Sequence, residues 1–350
     1  MTNKLSVLLI VICLPFIIQC KESPSGLSDK KEDAGQEVDV FEQNKLLGRG
    51  INLGNALEAP NEGDWGIILQ EEYFDIIRDA GFSSVRIPIR WSAHTTVDSP
   101  FTISTKFFER IDWAVDQSLN AGLAVVINIH HFEEIFSDPY ANKKKFLEIW
   151  RQIADRYKSY SSNLFFEVLN EPHDQLNEII WNEFLAEAMD IIRTSNPNRT
   201  AIIGTANWGG VSALNQLVLP ENENNIIVTI HYYEPFHFTH QGAEWSEGSS
   251  DWLGTQWTGT VSEERAIKDH FDNVKAWADS RNVPIYMGEF GAYYKADMDS
   301  RERWTAFTAR QAEMRNFSWA YWEFCSGFGA FNKDKNEWHR QLLRALLPND

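Results

Sequence analysis

Short apolar segments recur along residues 41–350, and amphipathic segments lie between them. Each apolar segment is nearly continuous and rich in Val, Ile, Leu or Phe, which is typical of strands buried on both faces of a parallel sheet. The segments are 49–55, 84–89, 124–130, 164–170, 201–205, 226–231, 285–290 and 318–324. We therefore predict a strand at each of these eight positions.

The connecting segments carry apolar residues at helical spacing. Residues 73–80 form such a stripe and precede Gly81, a residue type that commonly ends helices, while Ser104 is a predicted N-cap of the next helix. The helical pattern is weak after the fifth strand. The connection after the sixth strand, 233–262, is long and rich in Gly, Trp and His. A long connection in a compact domain usually has a function.

Strands that alternate with helices in this way predict an α/β fold, a single (β/α)8 or TIM barrel over residues 41–350. The length of this span is usual for one such barrel, so we predict no second domain. The chain is 43% hydrophobic and 23% charged, which is ordinary for a globular protein and excludes a disordered or fibrous chain.

The N-terminal residues differ from the rest of the chain. Lys4 and the apolar run 5–18 resemble a signal peptide, too short to span a bilayer, and Cys20 follows as in a bacterial lipobox. We predict a lipoprotein-type signal over 1–19, lipidation of Cys20 and a disordered polar tether over 20–40. The alternative is a simple cleaved signal with an incidental cysteine. Either way the protein is exported, as a periplasmic or cell-surface lipoprotein or else as a secreted protein.

The net charge and the cysteine count of the chain limit the functions that it can have. The net charge of −18 comes from 32 Lys and Arg against 50 Asp and Glu, and it would repel a nucleic acid, whereas a neutral substrate would be indifferent to it. The 14 Trp residues suggest stacking surfaces, although we expect most of them in the core. After removal of the signal and lipidation of Cys20, Cys325 is the cysteine that remains, so the mature domain has no internal disulfide.

In a TIM barrel the C-terminal ends of the strands carry the chemistry. The polar or aromatic residues at those ends are Asn55, Glu58, Arg86, His130, His131, Asn170, Glu171, Trp208, His231, Tyr233, Glu289 and Trp322. An apolar strand that ends in a carboxylate needs an explanation, because burial of an unpaired charge is costly. A salt bridge to Arg86 would explain Glu171 or Glu289 taken singly, but it explains the pair less well.

Two carboxylates on one barrel rim suit the cleavage of a glycosidic bond. One must be protonated to donate to the leaving oxygen, and the other must be ionised, so their surroundings have to separate the two pKa values. Asn170 stands beside Glu171, where an amide is able to hold a sugar hydroxyl. Arg86 and Tyr233 are placed to keep Glu289 ionised. We therefore predict Glu171 as the acid/base and Glu289 as the nucleophile.

Several motifs together resemble glycoside hydrolase family 5, the cellulase-type retaining glycosidases. They are Val85-Arg86-Ile87-Pro88, His130-His131, Leu169-Asn170-Glu171-Pro172, His231-Tyr232-Tyr233 and Gly288-Glu289-Phe290. The resemblance covers essentially all of 45–350. Three further segments, 50–60, 238–245 and 322–329, resemble those of thermophilic bacterial enzymes of this family that hydrolyse both β-glucans and β-mannans.

The resemblance implies roles for individual residues. Those implied to line the cleavage subsite around Glu171 and Glu289 are Arg86, His130, Asn170, His231, Tyr233 and, as a stacking platform, Trp322. Those implied to hold neighbouring sugars are Asn55, Glu58, His131, Trp208, His240 and Trp245. The expected partner is a β-1,4-linked polysaccharide that a monomer cleaves internally. We expect no nucleic acid, and a membrane is expected only through the lipid anchor.

No cofactor is expected. Adjacent residues of a regular strand point to opposite faces, so His130 and His131 would not share a metal ion, and the sequence has no zinc-binding His-Glu-x-x-His helix or cysteine pair. Two alternatives stay open. One is a cell-surface glycan-binding lipoprotein with little turnover, and the other is a metal-dependent barrel hydrolase. Release of reducing sugar in the presence of a chelator separates both from the predicted enzyme.

Overall fold

A computed structural model describes residues 39–221 and 223–348. The predicted signal peptide, the lipidation at Cys20 and nearly all of the tether lie outside these residues. Within the described ranges, no helix combines the length and the apolar character needed to cross a bilayer.

Parallel strands close into a barrel in sequence order, and helices or helical turns connect them, which confirms the predicted (β/α)8 fold. β1 pairs with both β2 and β8, so that Gly50 lies opposite Ser84 on one side and Ala320 on the other. The barrel strands are β1 (Arg49–Asn52), β2 (Ser84–Ile87), β3 (Ala124–Asn128), β4 (Leu164–Glu167), β5 (Ala201–Gly204), β6 (Ile226–Tyr232), β7 (Ile285–Phe290) and β8 (Ser318–Tyr321).

Helices surround the barrel. They are α1 (Val40–Leu47), α2 (Glu71–Ala80), α3 (Thr105–Asn120), α4 (Glu133–Ser137), α5 (Pro139–Tyr157), α6 (Glu178–Ser195), α7 (Phe236–Thr239), α8 (Val261–Arg281), α9 (Met298–Glu313) and α10 (Arg340–Leu346). Short 3₁₀ turns span Trp91–His94, Val211–Gln216 and Ser249–Trp252, and a small hairpin is formed by β9 (Phe331–Asn332) and β10 (Glu337–Trp338). The 3₁₀ turn at Val211–Gln216 is the weak helical segment predicted after the fifth strand.

The helix ends follow the local sequence signals. Gly81 caps α2 with φ of 104°, a left-handed conformation that glycine adopts without strain. Ser104 occupies the N-cap of α3 as predicted, but its side chain makes no capping hydrogen bond. Its backbone carbonyl instead accepts the N–H groups of Phe107 and Phe108. The position of the cap was therefore predictable, and its hydrogen bond was not.

Two apolar layers hold the barrel. Side chains inside it, such as Val126, Phe165 and Ile227, form one cluster that α1 joins through Val40 and Leu47. Because these side chains fill the barrel interior, α1 covers the end opposite the C-terminal rim. A larger cluster lies between the strands and the outer helices, which explains why the strands are apolar on both faces.

Six strands end earlier than predicted. The predicted ends were 55, 89, 130, 170, 205 and 324, whereas β1, β2, β3, β4, β5 and β8 end at 52, 87, 128, 167, 204 and 321. The apolar residues beyond these strands are buried by rim loops that fold inward. Val168 and Leu169 are buried, for example, and the carbonyl of Val168 accepts the indole N–H of Trp150. The apolar character of these residues therefore indicated that they are buried, and it did not indicate that they pair within the sheet.

Candidate active site

Arg86, fully buried on β2, is the charged centre of the barrel mouth. Its guanidinium donates to both oxygens of Glu167, at 2.5 and 2.7 Å, and to Glu289 Oε1 at 2.7 Å. It also donates to the side-chain carbonyls of Asn52 and Asn170, at 2.8 and 2.7 Å. Burial by itself would lower the pKa of Arg86, but the carboxylate charge of Glu167 raises it well above its usual value. The guanidinium therefore stays charged and fixes four side chains.

Glu167 is a site residue that the sequence analysis missed. Burial would raise its pKa, but the charge and hydrogen bonds of Arg86 bring the pKa below its ordinary value. Phe165 and Glu167 are two residues apart on β4, so their side chains point to the same face, and Phe165 lies inside the barrel. This alternation was the signal that could have identified Glu167. The salt bridge considered for Glu171 or Glu289 is made chiefly by Glu167.

Glu289 reaches the site through an irregularity in β7. Ile230 of β6 pairs with Met287, but the next residue, His231, pairs with Glu289, so the register shifts by one residue at Gly288. The bulge turns Glu289 toward the barrel mouth beside His231. A Cβ at Gly288 would lie 2.7 Å from a side-chain oxygen of β6 and 3.2 Å from Nε2 of His231, so the close approach of β6 requires glycine.

Glu171 lies just beyond β4, with φ of 45°, and faces Glu289 across the mouth. Nδ1 of His231 lies 2.7 Å from Glu171 Oε1 and 3.6 Å from Glu289 Oε2. The Tyr233 hydroxyl donates to Glu289 Oε2 at 2.9 Å. One side-chain ligand atom from each of Glu171, His231 and Glu289 lies within 4.8 Å of the others. The two predicted catalytic carboxylates are thus brought together.

The three ionisable side chains of this cluster change one another's pKa values. Burial would raise the pKa of Glu171, but the hydrogen bond and charge of His231 lower it. Burial, together with the charge of Glu171, raises the pKa of Glu289, against the opposing charges of His231 and Arg86. Burial would lower the pKa of His231, but the charges of Glu289 and Glu171 raise it. Groups this close titrate as a coupled unit, so their pKa values belong to the cluster and not to single residues.

The same three side chains are the candidate metal ligands within residues 39–221 and 223–348. Two carboxylates and one imidazole form a donor set that divalent cations accept. The 2.7 Å contact between Nδ1 of His231 and Glu171 already uses one ligand atom of each residue. The metal-independence expected from the sequence stays a prediction.

The candidate site is completed by His130 and Trp322, whose rings are nearly parallel, with centroids 5.9 Å apart and planes at 8°. Asn128, a second residue that the sequence analysis missed, lies with its side-chain nitrogen 3.1 Å from His130 Nδ1. A Cβ at Gly54 would lie 3.0 Å from the Trp322 indole, so the glycine leaves room for that ring. Burial lowers the pKa of His130 well below its usual value, so this imidazole is neutral.

The premise that His130 and His131 belong to a regular strand was wrong, and the expectation that they do not share a metal ion stays a prediction. β3 ends at Asn128, and His131 has φ of 49°, so neither histidine lies on a regular strand. Their ring centroids are 4.6 Å apart. His131 Nδ1 lies 3.3 Å from the Glu133 carboxylate.

Three predicted sugar-binding aromatics lie farther out on the rim. Trp208 is 53% exposed and stacks on His173, with ring centroids 3.5 Å apart. Trp245 is 63% exposed and contacts the ring of Tyr293 at 5.0 Å. His240 is buried, and that burial lowers its pKa to about 4. Trp208 and Trp245 therefore offer open indole surface, and His240 offers a neutral imidazole whose ring centroid lies 6.5 Å from that of Trp245.

Asn55 and Glu58 organise the loop after β1. Glu58 is fully buried, and its carboxylate accepts the backbone N–H groups of Asn55 and Ala56. Asn55 is half-buried, with φ of 65°. A direct sugar contact by either residue stays a prediction. Glu323, another residue that the sequence analysis missed, plays a similar role beside Trp322. Its carboxylate accepts the backbone N–H groups of Cys325, Ser326 and Phe328 at 2.8 to 3.0 Å.

These two buried carboxyls make stability depend on pH. Burial raises the pKa of both Glu58 and Glu323 to about 7 from an ordinary 4.5. Between these values the folded state holds more protons than the unfolded state, so stability falls as pH rises. Each protonated carboxyl contributes about 3 kcal/mol to the free energy of unfolding. This contribution is complete below pH 4.5 and is lost as the pH rises through about 7.

We therefore expect Glu323→Gln, which stays neutral, to gain in melting temperature relative to wild type as pH rises from about 5 to about 8. Thermal unfolding of both proteins across this range measures the difference. Glu178→Gln, an exposed substitution on α6, is the matched control and should follow the wild-type curve. Melting temperatures that change with pH by the same amount in Glu323→Gln and in wild type would contradict the expectation.

Comparisons with known proteins agree with this geometry. Residues 46–327 match the Cellulase family, glycosyl hydrolase family 5. Endoglucanase H of Acetivibrio thermocellus is 37% identical over 316 residues, which are 89% of this chain but 34% of that protein, so the chain spans about a third of its length. Crystal structures of Thermotoga maritima Cel5A with mannotriose and with cellobiose are 55% and 56% identical, each with a TM-score of 0.87. Each alignment covers 88% of this chain and 100% of Cel5A.

The family match covers more than half of the chain, and the match to Cel5A extends over the whole of that solved structure. The strand-end residues discussed above, from Asn55 to Glu289, fall within the matched span, as does Trp322. The chain therefore belongs to the cellulase family of glycoside hydrolases, family 5.

Proposed function

We propose that this protein cleaves β-1,4-linked polysaccharide internally and with retention of configuration, with Glu171 as acid/base and Glu289 as nucleophile. The observation that carries the proposal is the closeness of the two carboxylates, whose nearest ligand atoms lie within 4.8 Å of each other. Retaining glycosidases hold their carboxyl groups roughly 5–5.5 Å apart, whereas inverting enzymes need roughly 6.5–9.5 Å to admit a water.

The hydrogen bonds divide the two roles. Glu289 accepts hydrogen bonds from Arg86 and from the Tyr233 hydroxyl, and both donors favour the ionised form required of a nucleophile, against the burial and the Glu171 charge that raise its pKa. Glu171 is paired with His231, a group that exchanges protons near neutral pH. Glu171 first donates a proton to the leaving oxygen and then takes one from the water that releases the sugar.

Glu167 is a third carboxylate close to the pair, so its availability to activate a water has to be considered. Both of its oxygens accept hydrogen bonds from Arg86, and it is fully buried. The charge of Glu167 is therefore paired with that of Arg86. Glu171 and Glu289 are then the carboxylates that are available for the reaction. This arrangement supports the double-displacement mechanism over direct attack by water.

Open aromatic surface beyond the cleavage centre supports internal cleavage. Trp208 and Trp245 are both more than half exposed, so a chain that crosses the two carboxylates has further rings on which to rest. Endoglucanase H, the curated relative described above, carries a name that agrees with this mode of action.

We infer that the substrates include both β-1,4-glucan and β-1,4-mannan, because Cel5A has been crystallised with cellobiose and with mannotriose. Glucose and mannose differ in the orientation of the C2 hydroxyl. Asn170, beside Glu171, is the amide expected nearest to that hydroxyl, and Arg86 fixes its carbonyl oxygen at 2.7 Å. Rejection of one epimer needs a clash or an unpaired buried polar group.

The decisive experiment measures kcat/KM on cellopentaose and mannopentaose in the presence of a chelator, with proton NMR of the first anomer released. We expect both substrates to be cleaved with kcat/KM values within about 10²-fold of each other. Initial release of the β-anomer indicates retention. Turnover of one substrate alone would contradict the double specificity. Binding without release of sugar would favour the glycan-binding alternative, and loss of activity in chelator would favour a metal enzyme.

We also propose that Cys20 is lipidated and that the protein is anchored in a membrane facing the periplasm or the cell exterior. The order of apolar signal, cysteine and polar linker supports this proposal. Two or three acyl chains bind a membrane stably, whereas one does not. Mass spectrometry of the mature N-terminus after detergent extraction tests it. We expect a diacylated or triacylated Cys20, and a Cys20→Ala variant should appear in the soluble fraction. An unmodified N-terminus beyond residue 20 would refute the anchor.

A further inference from the structure

His173 is a buried histidine two residues after Glu171, and the mechanism described so far gives it no role. Its Nδ1 atom lies 2.6 Å from the backbone carbonyl oxygen of Glu171. A carbonyl oxygen accepts hydrogen bonds and does not donate them, so Nδ1 carries the proton of this contact. Nε2 lies 3.8 Å from the Asp174 carboxylate, which is too far for a hydrogen bond. The imidazole therefore donates to the main chain of the proposed acid.

The main chain at Glu171 has a conformation that needs support. Its φ of 45° is left-handed, and a residue other than glycine keeps such a conformation only where its surroundings hold it. The N–H of Asn170, on one side, donates to the carbonyl of Ile129 at 2.9 Å. The carbonyl of Pro172, on the other side, accepts the N–H of Trp208 at 3.2 Å. The imidazole hydrogen bond holds the carbonyl of Glu171 itself, and the backbone conformation there decides which directions its side chain can take.

Two aromatic rings pack against the imidazole of His173. The ring of Trp208 stacks on it, with centroids 3.5 Å apart and planes at 12°. The ring of Phe136 lies 3.9 Å from it, with planes at 35°. Phe136 is itself buried and belongs to the apolar cluster between the strands and the outer helices. The imidazole cannot turn away from Glu171 without losing these contacts, so its donor is held in place before a substrate arrives.

We propose that His173 is a positioning residue for the acid/base. Its imidazole fixes the backbone carbonyl of Glu171, and through the backbone it fixes the direction in which the Glu171 carboxyl presents its proton. The inference rests on the proposed function and deepens the account of the same site. Loss of the hydrogen bond should impair proton transfer to the leaving oxygen, because a small displacement of a catalytic group is costly. The attack by Glu289 should be unaffected.

Two substitutions separate the hydrogen bond from the ring. His173→Phe keeps an aromatic ring against Trp208 but has no donor for the Glu171 carbonyl, whereas His173→Asn keeps an N–H close to the position of Nδ1 but has no ring. We expect His173→Phe to lower kcat for cellopentaose by about tenfold with little change in KM. We expect His173→Asn to keep kcat within about threefold of wild type and to raise KM, because Trp208 loses the ring that supports it.

The leaving group supplies a second readout. For a dinitrophenyl β-cellobioside, kcat/KM reports formation of the glycosyl-enzyme, which needs no proton from Glu171. His173→Phe should therefore leave this value within about twofold of wild type. His237→Phe is the matched control, because His237 is an exposed histidine that also stacks on a tryptophan, Trp252, with centroids 4.3 Å apart. It should leave kcat and KM unchanged on both substrates.

Equal losses of His173→Phe on the two substrates, or no loss on either, would overturn the positioning role, and so would a tenfold loss of kcat in His173→Asn. A melting curve for each variant separates these effects from loss of folding. If His173→Phe does not fold, His173→Ala against His173→Asn carries the test, because both lack the ring and only asparagine keeps the donor. Failure of the proposed function has a different signature: wild-type protein would release neither sugar nor dinitrophenol, and the positioning role would be refuted with it.

Discussion

Replacement of Glu289 by glutamine is expected to lower hydrolysis of every substrate by at least about 10³-fold. The amide has nearly the shape of the carboxylate and retains an oxygen for Arg86, which donates to Glu289 at 2.7 Å in the native site. It carries no charge and is a poor nucleophile, so the glycosyl-enzyme intermediate does not form. The effect is therefore one of chemistry and not of folding.

Mass spectrometry with a 2-fluoro glycoside that carries a good leaving group measures this step directly. The wild-type chain should gain the mass of one fluoro-sugar on the peptide that contains Glu289, and Glu289→Gln should gain none. Glu178→Gln, the exposed variant on α6, is the control and should be labelled like wild type. Labelling of Glu289→Gln on another carboxylate, or turnover close to wild type, would remove Glu289 from the mechanism.

The barrel itself was largely predictable from the sequence, because burial on both faces leaves continuous apolar segments. The prediction 285–290 coincides with β7, whereas the prediction 164–170 continues past the end of β4 at Glu167. Residues 168 and 169 are as buried as the strand, and hydrophobicity reports burial but not hydrogen bonding between strands. Strand ends could therefore not be placed from apolar character.

The candidate site was predictable where a polar residue interrupts apolar sequence at a strand end, as at Glu171 and Glu289. Glu167 was not recognised, although it shares the inward face of β4 with Phe165. The register shift at Gly288 could not be predicted either, since it depends on how two strands pair and not on either strand alone.

Arg86 illustrates what the pattern of polar residues leaves undetermined. A salt bridge from Arg86 was the alternative explanation considered for Glu171 or Glu289 taken singly, and the structure shows the guanidinium shared between Glu167 and Glu289. The choice of partner follows from strand order, because β2 and β4 flank β3 and their inward side chains meet in the barrel mouth. An ion pair between strands that are not neighbours in the sheet can be assigned only when the closed barrel is known.

Replacement of Glu171 by alanine is expected to slow cleavage by about 10²–10⁴-fold, and the loss should depend on the leaving group. Natural oligosaccharides leave as poor alkoxides and need the proton that Glu171 supplies. A dinitrophenyl glycoside leaves without protonation, so its first step should be nearly preserved. The second step still lacks a base to activate water, and the glycosyl-enzyme should therefore accumulate on Glu289.

Stopped-flow release of dinitrophenol measures both consequences. We expect Glu171→Ala to give a rapid burst followed by slow steady-state turnover, because formation of the intermediate outpaces its hydrolysis. Added azide, a nucleophile that needs no general base, should raise the steady-state rate and yield the β-glycosyl azide. His231→Ala provides a comparison, since it removes the partner that lies 2.7 Å from Glu171 but keeps the acid itself, and azide should give it little rescue. Equal losses for good and poor leaving groups, with no azide product, would show that another residue supplies the proton.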